Sequence, residues 1–222
     1  MNRRATFRLR YSSDLTVVNP AQAQAALESG LKAVIAAEPD VTKYDTIVGD
    51  GDCGIGLKRG AEAVLQLLET SEMSSIDDAA TFMDRIIAVV ETSMDGTSGA
   101  LYAIYLNALA TGLRSQSANK EATASVWAKA AQQAMQSMAK YTPAKVGDRT
   151  LVDALAPFVE TLENTSDVKE AARAAEKGAS GTKGMQASLG RTVYVGGQGW
   201  QDVPDPGAYG LAKFLTGLAE KL

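Results

Sequence analysis

From Leu27 onward the apolar residues return every three or four positions in one stretch after another, and this spacing restricts the fold more than any other feature of the chain. Leu27, Leu31, Val34 and Ile35 share one helix face; Leu57, Ala61, Val64, Leu65 and Leu68 share a second. At a cap-like Ser75 to Asp78 begins a third set: Ile76, Ala79, Ala80, Met83, Ile86, Ile87 and Val90. Tyr102, Tyr105, Leu106, Leu109 and Leu113 form the next set, and Trp127, Ala131, Ala134 and Met138 follow. After Pro143 come Leu151, Val152, Leu155, Phe158 and Leu162, a helical signal from Val168 to Ala175, and a last helix with Leu211, Phe214, Leu215 and Leu218. Thr192 to Val195 alone has strand character and is too short to carry a sheet. Small residues are frequent throughout, so helix axes can approach closely. The pattern predicts an all-α fold, a closed bundle of about eight helices with its Gly/Asp-rich loops gathered at one end.

Asn19-Pro20-Ala21-Gln22 reads as the first helix start, with Asn19 as N-cap and Pro20 at the first helical position. That helix is expected to stop near Pro39. With 222 residues, 45% of them hydrophobic, the chain can bury one core, and residues 19–222 are expected to form one domain. Residues 1–18 differ, with Arg3, Arg4, Arg8 and Arg10 ahead of the first acid, Asp14. They lack the length and amphipathic face of a targeting peptide and are read as an arm or linker remnant.

Composition removes several function classes. A net charge of -4 and a pI near 5.0 argue against a nucleic-acid partner or an anionic membrane surface. No apolar run reaches membrane-spanning length, so a soluble protein is expected. One cysteine excludes an intramolecular disulfide and suits a reducing compartment, the cytoplasm. The chain contains no histidine, which excludes Ser-His-Asp and Cys-His catalysis and His-ligated zinc.

The chemistry concentrates in Asp45-Thr46-Ile47-Val48-Gly49-Asp50-Gly51-Asp52-Cys53-Gly54. Ionised carboxylates about 4 Å apart repel by roughly 4 kcal/mol per pair at an effective dielectric near 20. If Asp45, Asp50 and Asp52 converge, a cation must compensate them. Magnesium suits a few carboxylates, with water and phosphate oxygens completing its octahedron, and so implies a phosphorylated ligand. Glycines let the backbone approach such a ligand, and the helix start that follows offers free N–H groups to phosphate. An exposed Asp/Gly turn is the plain alternative. Gly49-x-Gly51-x-x-Gly54 lacks the βαβ setting of a dinucleotide fingerprint. An EF-hand counted from Asp50 would put Ala61 where its bidentate glutamate belongs, and no P-loop motif occurs. Cys53 is read as a small buried filler, with reactivity as the alternative.

Three further loops carry polar residues at helix starts. Gly96-Thr97-Ser98-Gly99 opens a helix and is either a phosphate contact or ordinary N-capping by Thr97 or Ser98. Asp148, after Gly147, reads first as an N-cap. The Gly-rich segment from Gly178 to Tyr209 includes Arg191, which could face a phosphate, and Asp205-Pro206-Gly207-Ala208, a turn into the last helix. A loop of that length within a compact domain is usually functional or disordered.

Four separated stretches resemble one family, the nucleotide-binding L domain of dihydroxyacetone kinases, also called DhaL-like. They are Asp45-x-x-x-Gly49-Asp50-Gly51-Asp52-Cys53-Gly54, Gly96-Thr97-Ser98-Gly99-Ala100-Leu101, Gly147-Asp148-Arg149-Thr150-Leu151-Val152-Asp153-Ala154-Leu155, and Gly190-Arg191-x-x-Tyr194-Val195-Gly196 with Asp205-Pro206-Gly207-Ala208. They stand in family order, cover residues 20–222, and are most similar to the C-terminal domain of fused ATP-dependent members. The resemblance implies an antiparallel eight-helix barrel that binds ATP or ADP at one end, with Asp45, Asp50 and Asp52 holding magnesium, two ions, between the phosphates. It also implies that Cys53, Gly54 and the Gly96 to Gly99 turn approach phosphate, that Gly147, Asp148 and Arg191 line the nucleotide, and that Asp205 and Gly207 close the pocket.

In that family the keto-alcohol is held by a histidine on a separate K domain, which implies a K-type partner for this histidine-free chain. Asp95, where many relatives have glycine, brings negative charge towards the phosphates, and Gly56 replaces a position often polar. The leading expectation is therefore a Mg-ATP phosphotransfer domain of a dihydroxyacetone kinase. Two others stand beside it. One is a magnesium-dependent lyase or cyclase acting on a flavin nucleotide or prenyl diphosphate, marked by an apolar cavity near Tyr102, Tyr105, Trp127 or Phe158. The other is a non-catalytic regulatory nucleotide-binding protein.

Overall fold

The helical spacing becomes nine helices and no strand among the described residues of the computed structural model, which are 18, 20–116, 122–194 and 199–222. They are α1 (Pro20–Val48), α2 (Cys53–Leu68), the single turn α3 (Ser71–Ser74), α4 (Ala79–Ser93), α5 (Gly96–Gln116), α6 (Ala124–Met138), α7 (Val152–Thr165), α8 (Val168–Gly181) and α9 (Pro206–Ala219). Short polar side chains set several starts. Asp78 accepts from the N–H groups of Ala80 and Thr81, Thr123 from Val126, Asp167 from Glu170 and Asp205 from Ala208. Each such cap contributes about 1 kcal/mol. The expected cap at Asn19, the arm over residues 1–17, and Val195 and Gly196 lie outside the described residues.

Round the molecule α1 packs on α2, α2 on α4, α4 on α5, α5 on α6, α6 on α7, α7 on α8 and α8 on α9, and α9 returns to α1. Eight long helices thus close an antiparallel barrel, as the periodicity and the resemblance led one to expect, with α3 as a link in one connection. The α1–α2, α4–α5, α6–α7 and α8–α9 connections all fall at the same end, so every Gly/Asp-rich loop is gathered there. Along the axis runs an apolar cavity of about 310 Å³, lined among others by Leu57, Tyr102, Tyr105, Trp127, Phe158 and Leu211. No helix among the described residues is long and apolar enough to cross a membrane.

Three local expectations are corrected. α1 does not stop at Pro39 but runs on to Val48 with the proline inside it. An interior proline costs about 3 kcal/mol, yet Val34, Ala37, Val41 and Val48 are all buried along this helix. Full burial of each valine contributes roughly 1.5–3 kcal/mol, which outweighs the lost backbone bond and carries Asp45 onto the last turn of α1. α8 continues past Gly178 to Gly181 because its alanines Ala171, Ala172, Ala175 and Ala179 are buried against the barrel. The strand-like run begins instead as a 3-10 turn, Arg191–Val193, with no neighbouring strand for it to pair with among the described residues.

Candidate functional site

The corner between α1 and α2 brings the three carboxylates together. Asp45 is buried on the last turn of α1, and its Oδ2 accepts a hydrogen bond of 2.9 Å from the Cys53 backbone N–H. Asp50 and Asp52 are exposed on either side of Gly51, whose φ of +81° turns the chain back towards Asp45. Ligand oxygens of Asp45, Asp50 and Asp52 lie within 4.8 Å of one another. Partial burial, and then the charges of Asp50 and Asp45, raise the Asp52 pKa above the usual carboxylate value, while Arg191 pulls it down. The crowding is thus expressed as a demand for positive charge, and Arg191 meets part of it by pairing with Asp50 across most of the length of the chain.

Cys53 opens α2 and is half-buried. Burial, followed by the charges of Asp45, Asp205, Asp52 and Asp50, pushes its thiol well up, so it stays protonated and fits the filler reading. Gly54 is packed against α1: a Cβ there would lie 2.3 Å from Thr42 Oγ1 and 2.8 Å from the Glu38 carbonyl oxygen. Gly54 therefore lets the start of α2 lie against α1.

At the second connection α5 begins at Gly96, so Thr97 and Ser98 stand inside its first turn rather than ahead of it as caps. Gly99 is buried against the Met94 carbonyl. The early N–H groups of such a turn have no partners within the helix. Asp95 is not a bare charge here. Arg59 on α2 reaches it at 2.5 Å and also donates to the Ser93 carbonyl at 2.7 Å, tying this turn to the carboxylate-bearing helix.

The third connection corrects the expectation for Asp148. α7 begins only at Val152, and Asp148 accepts instead from the Lys145 N–H at 2.9 Å and from the Ser188 hydroxyl at 2.8 Å. The bond from Ser188 and then that from Lys145 hold its carboxyl below the usual value. Ordering of the turn falls to Asp153, which is buried and accepts from the N–H groups of Gly147 at 2.6 Å and Thr150 at 2.8 Å. Asp153 carried no assigned role in the sequence reading, although its place three residues after Thr150 has the spacing of a capping pair.

At the fourth connection the expected turn into the last helix is present, with Asp205 as the N-cap of α9 and Gly207 in the first turn. Its backbone N–H donates to Thr182 Oγ1 at 2.7 Å, and burial pushes its carboxyl up to about 6, against the Ala208 N–H and Arg149, which pull it down. Three other residues escaped the sequence reading as site members: Arg59, Arg149 and Thr182. Each acts on a loop remote in sequence, for which helical periodicity gives no signal.

The model of the DAK2 domain matches residues 47–220. The chain belongs to the DAK2 domain family. This DAK2 domain is 41% identical over 226 residues to a dihydroxyacetone kinase of Pichia angusta, covering 97% of this chain and 36% of that protein. It is 45% identical over 197 residues to dihydroxyacetone kinase 2 of Saccharomyces cerevisiae, covering 86% of this chain and 33% of that one. The chain thus spans about a third of the length of the curated relatives it matches. The crystal structure of the dihydroxyacetone kinase from C. freundii in complex with AMP-PNP and Mg2+ is similar over 100% of this chain and 37% of that one, with a TM-score of 0.72 and 26% identity.

Proposed function

We propose that this DAK2 domain is the Mg-ATP-binding half of a kinase that phosphorylates dihydroxyacetone or a similar small keto-alcohol, held by a K-type domain or subunit. The observation that carries the reading is the convergence of Asp45, Asp50 and Asp52 at the barrel end where the α2 and α5 N-termini also lie. The donor set fits magnesium: three carboxylates, no imidazole, and a thiol that stays protonated. Asp45, Asp50 and Asp52 would hold two such ions. When bound, magnesium would offset the charge on the phosphate oxygens and on the group in transit.

The remaining work belongs to the chain. First-turn N–H groups of α2 and α5, with the Thr97 and Ser98 hydroxyls, hold phosphate oxygens by the dipole and free donors of a helix start. Arg191, already paired with Asp50 at the carboxylates, supplies a positive charge for the transferred phosphoryl group. Gly147, Asp148, Asp205 and Gly207 border the nucleotide. In the reaction the bond between the γ-phosphorus and its bridging oxygen breaks with the electron pair kept by the departing ADP, the acceptor hydroxyl oxygen bonds to the γ-phosphorus, and the hydroxyl proton passes to solvent. The acceptor must be presented from outside the barrel. Of the seven large apolar side chains exposed among the described residues, six (Ile47, Ile55, Tyr141, Val146, Val193 and Tyr194) lie at this end, which suits docking of the acceptor-bearing domain. Residues 19–222 act as one unit in this reading, in a reducing compartment such as the cytoplasm.

Isothermal titration with ATP, with and without magnesium, tests the proposal. Metal-dependent binding that disappears in Asp50→Ala, Asp52→Ala is expected; no ATP binding by the unaltered chain overturns it. A second reading draws on the axial cavity, lined by Tyr102, Tyr105, Trp127 and Phe158 together. A lyase or cyclase working on a flavin nucleotide or prenyl diphosphate would use that space. Turnover without any partner protein would favour it over the kinase.

A further inference from the structure

Arg149 is the largest of the fully buried side chains among the described residues, 2% exposed, in a left-handed conformation with φ of 61°. Among the described residues no carboxylate forms an ion pair or hydrogen bond with its guanidinium. Nε donates to the Thr182 carbonyl at 3.4 Å, and Nη2 to the carbonyls of Val203 at 2.9 Å and Trp200 at 3.3 Å, while Nη1 is buried with no partner among the described residues. Burial lowers its pKa and Asp205 raises it. Such a burial is costly for a cation whose partners are neutral carbonyls. The planar fork of an arginine can hold several acceptors at fixed angles; the single ammonium of a lysine cannot.

Those acceptors are the two ends of the segment between α8 and α9. Thr182 opens it and also accepts from the Asp205 N–H, while Trp200 and Val203 close it. Asp148, next to Arg149, takes the Ser188 hydroxyl. One short turn therefore grips the segment at Thr182, Ser188, Trp200 and Val203. Arg191 follows Ser188 by three residues, beyond the left-handed Gly190 with φ of 76°, and there meets Asp50.

We infer that Arg149 is a positioning residue that sets Arg191 over the carboxylate trio, an inference that rests on the nucleotide reading above. A residue needed only for packing would lower stability without acting through Arg191.

The test uses the full chain in a Trp127→Phe background, which leaves Trp200 as its one tryptophan. Arg149→Lys and Arg149→Met are compared with Arg191→Ala and with the double variants. The helical circular dichroism should be retained, titration with Mn2+ alone should be no weaker, and Trp200 emission should shift to the red. ATP affinity should fall about tenfold in Arg149→Lys and in Arg191→Ala, and no further in the double variant, because the two act as one unit. Additive losses overturn the inference. So does a folded Arg149 variant with unchanged Trp200 emission, a parallel loss of Mn2+ binding, or failure of both Arg149 variants to fold, which would make Arg149 a residue of the fold alone. If the unaltered chain binds no ATP, the nucleotide reading fails, while Trp200 emission and the Mn2+ titration still decide whether Arg149 orders the segment.

Discussion

The α1–α2 corner and the α8–α9 connection both deliver charge to the same end of the barrel, by opposite means. In the corner, Asp45, Asp50 and Asp52 lie within one short stretch, and two helix ends bring them within 4.8 Å. In the connection, Arg191 meets Asp50 on a segment whose ends Arg149 and Thr182 hold through buried bonds and whose middle Asp148 holds through an exposed one. A site can thus be built from a contiguous motif carried on rigid helices, or from a long segment pinned at a few points. The first should survive most substitutions elsewhere in the chain, and the second should fail with its pins.

The largest expected effect tests the corner. Asp50→Ala, Asp52→Ala should abolish magnesium-dependent ATP binding, a loss of at least a hundredfold by titration, with the thermal melting point unchanged or raised, since like charges are removed. A melt lowered by many degrees would mean that the trio also holds the barrel together.

Arg191→Ala sharpens the contrast next. ATP affinity should fall about tenfold with almost no change in melting, because an exposed ion pair contributes about 0–1 kcal/mol. A large loss of stability would place Arg191 in the fold as much as in the site.

Asp205 ties the connection to α9, and its carboxyl is pushed from 3.8 up to about 6 in the folded chain. Between these values the folded state holds more protons than the unfolded one, so this group's penalty is complete above pH 6 and gone below 3.8. Stability should rise by roughly 2–3 kcal/mol as pH falls through that window, relative to Asp205→Asn, which keeps a cap but does not titrate. Parallel pH profiles of urea unfolding for the two chains would contradict the buried, ionisable cap.

The smallest effect concerns Asp95. Asp95→Gly frees Arg59 beside the α5 start and should tighten ATP binding by about two- to threefold, the scale of one screened surface charge. Weaker binding in that variant would mean that the Arg59–Asp95 pair helps to shape the phosphate turn.

The sequence by itself determined the helices, their approximate number, the gathering of polar loops at one end, and the carboxylate trio. Apolar spacing and adjacent acids are local properties, readable without knowing which helix meets which. It also placed the turn from Asp205 to Ala208 ahead of α9, because turn formation depends on a few neighbouring residues. Ring closure decided the rest. Pro39 stays helical because α1 is buried on both sides of it, Asp148 takes Ser188 instead of capping α7, and Asp95 finds Arg59. Arg191 finds Asp50 for the same reason. These are pairings between residues far apart in the chain, and their free energy exists only once the barrel has brought the partners together and removed the water that would otherwise satisfy them.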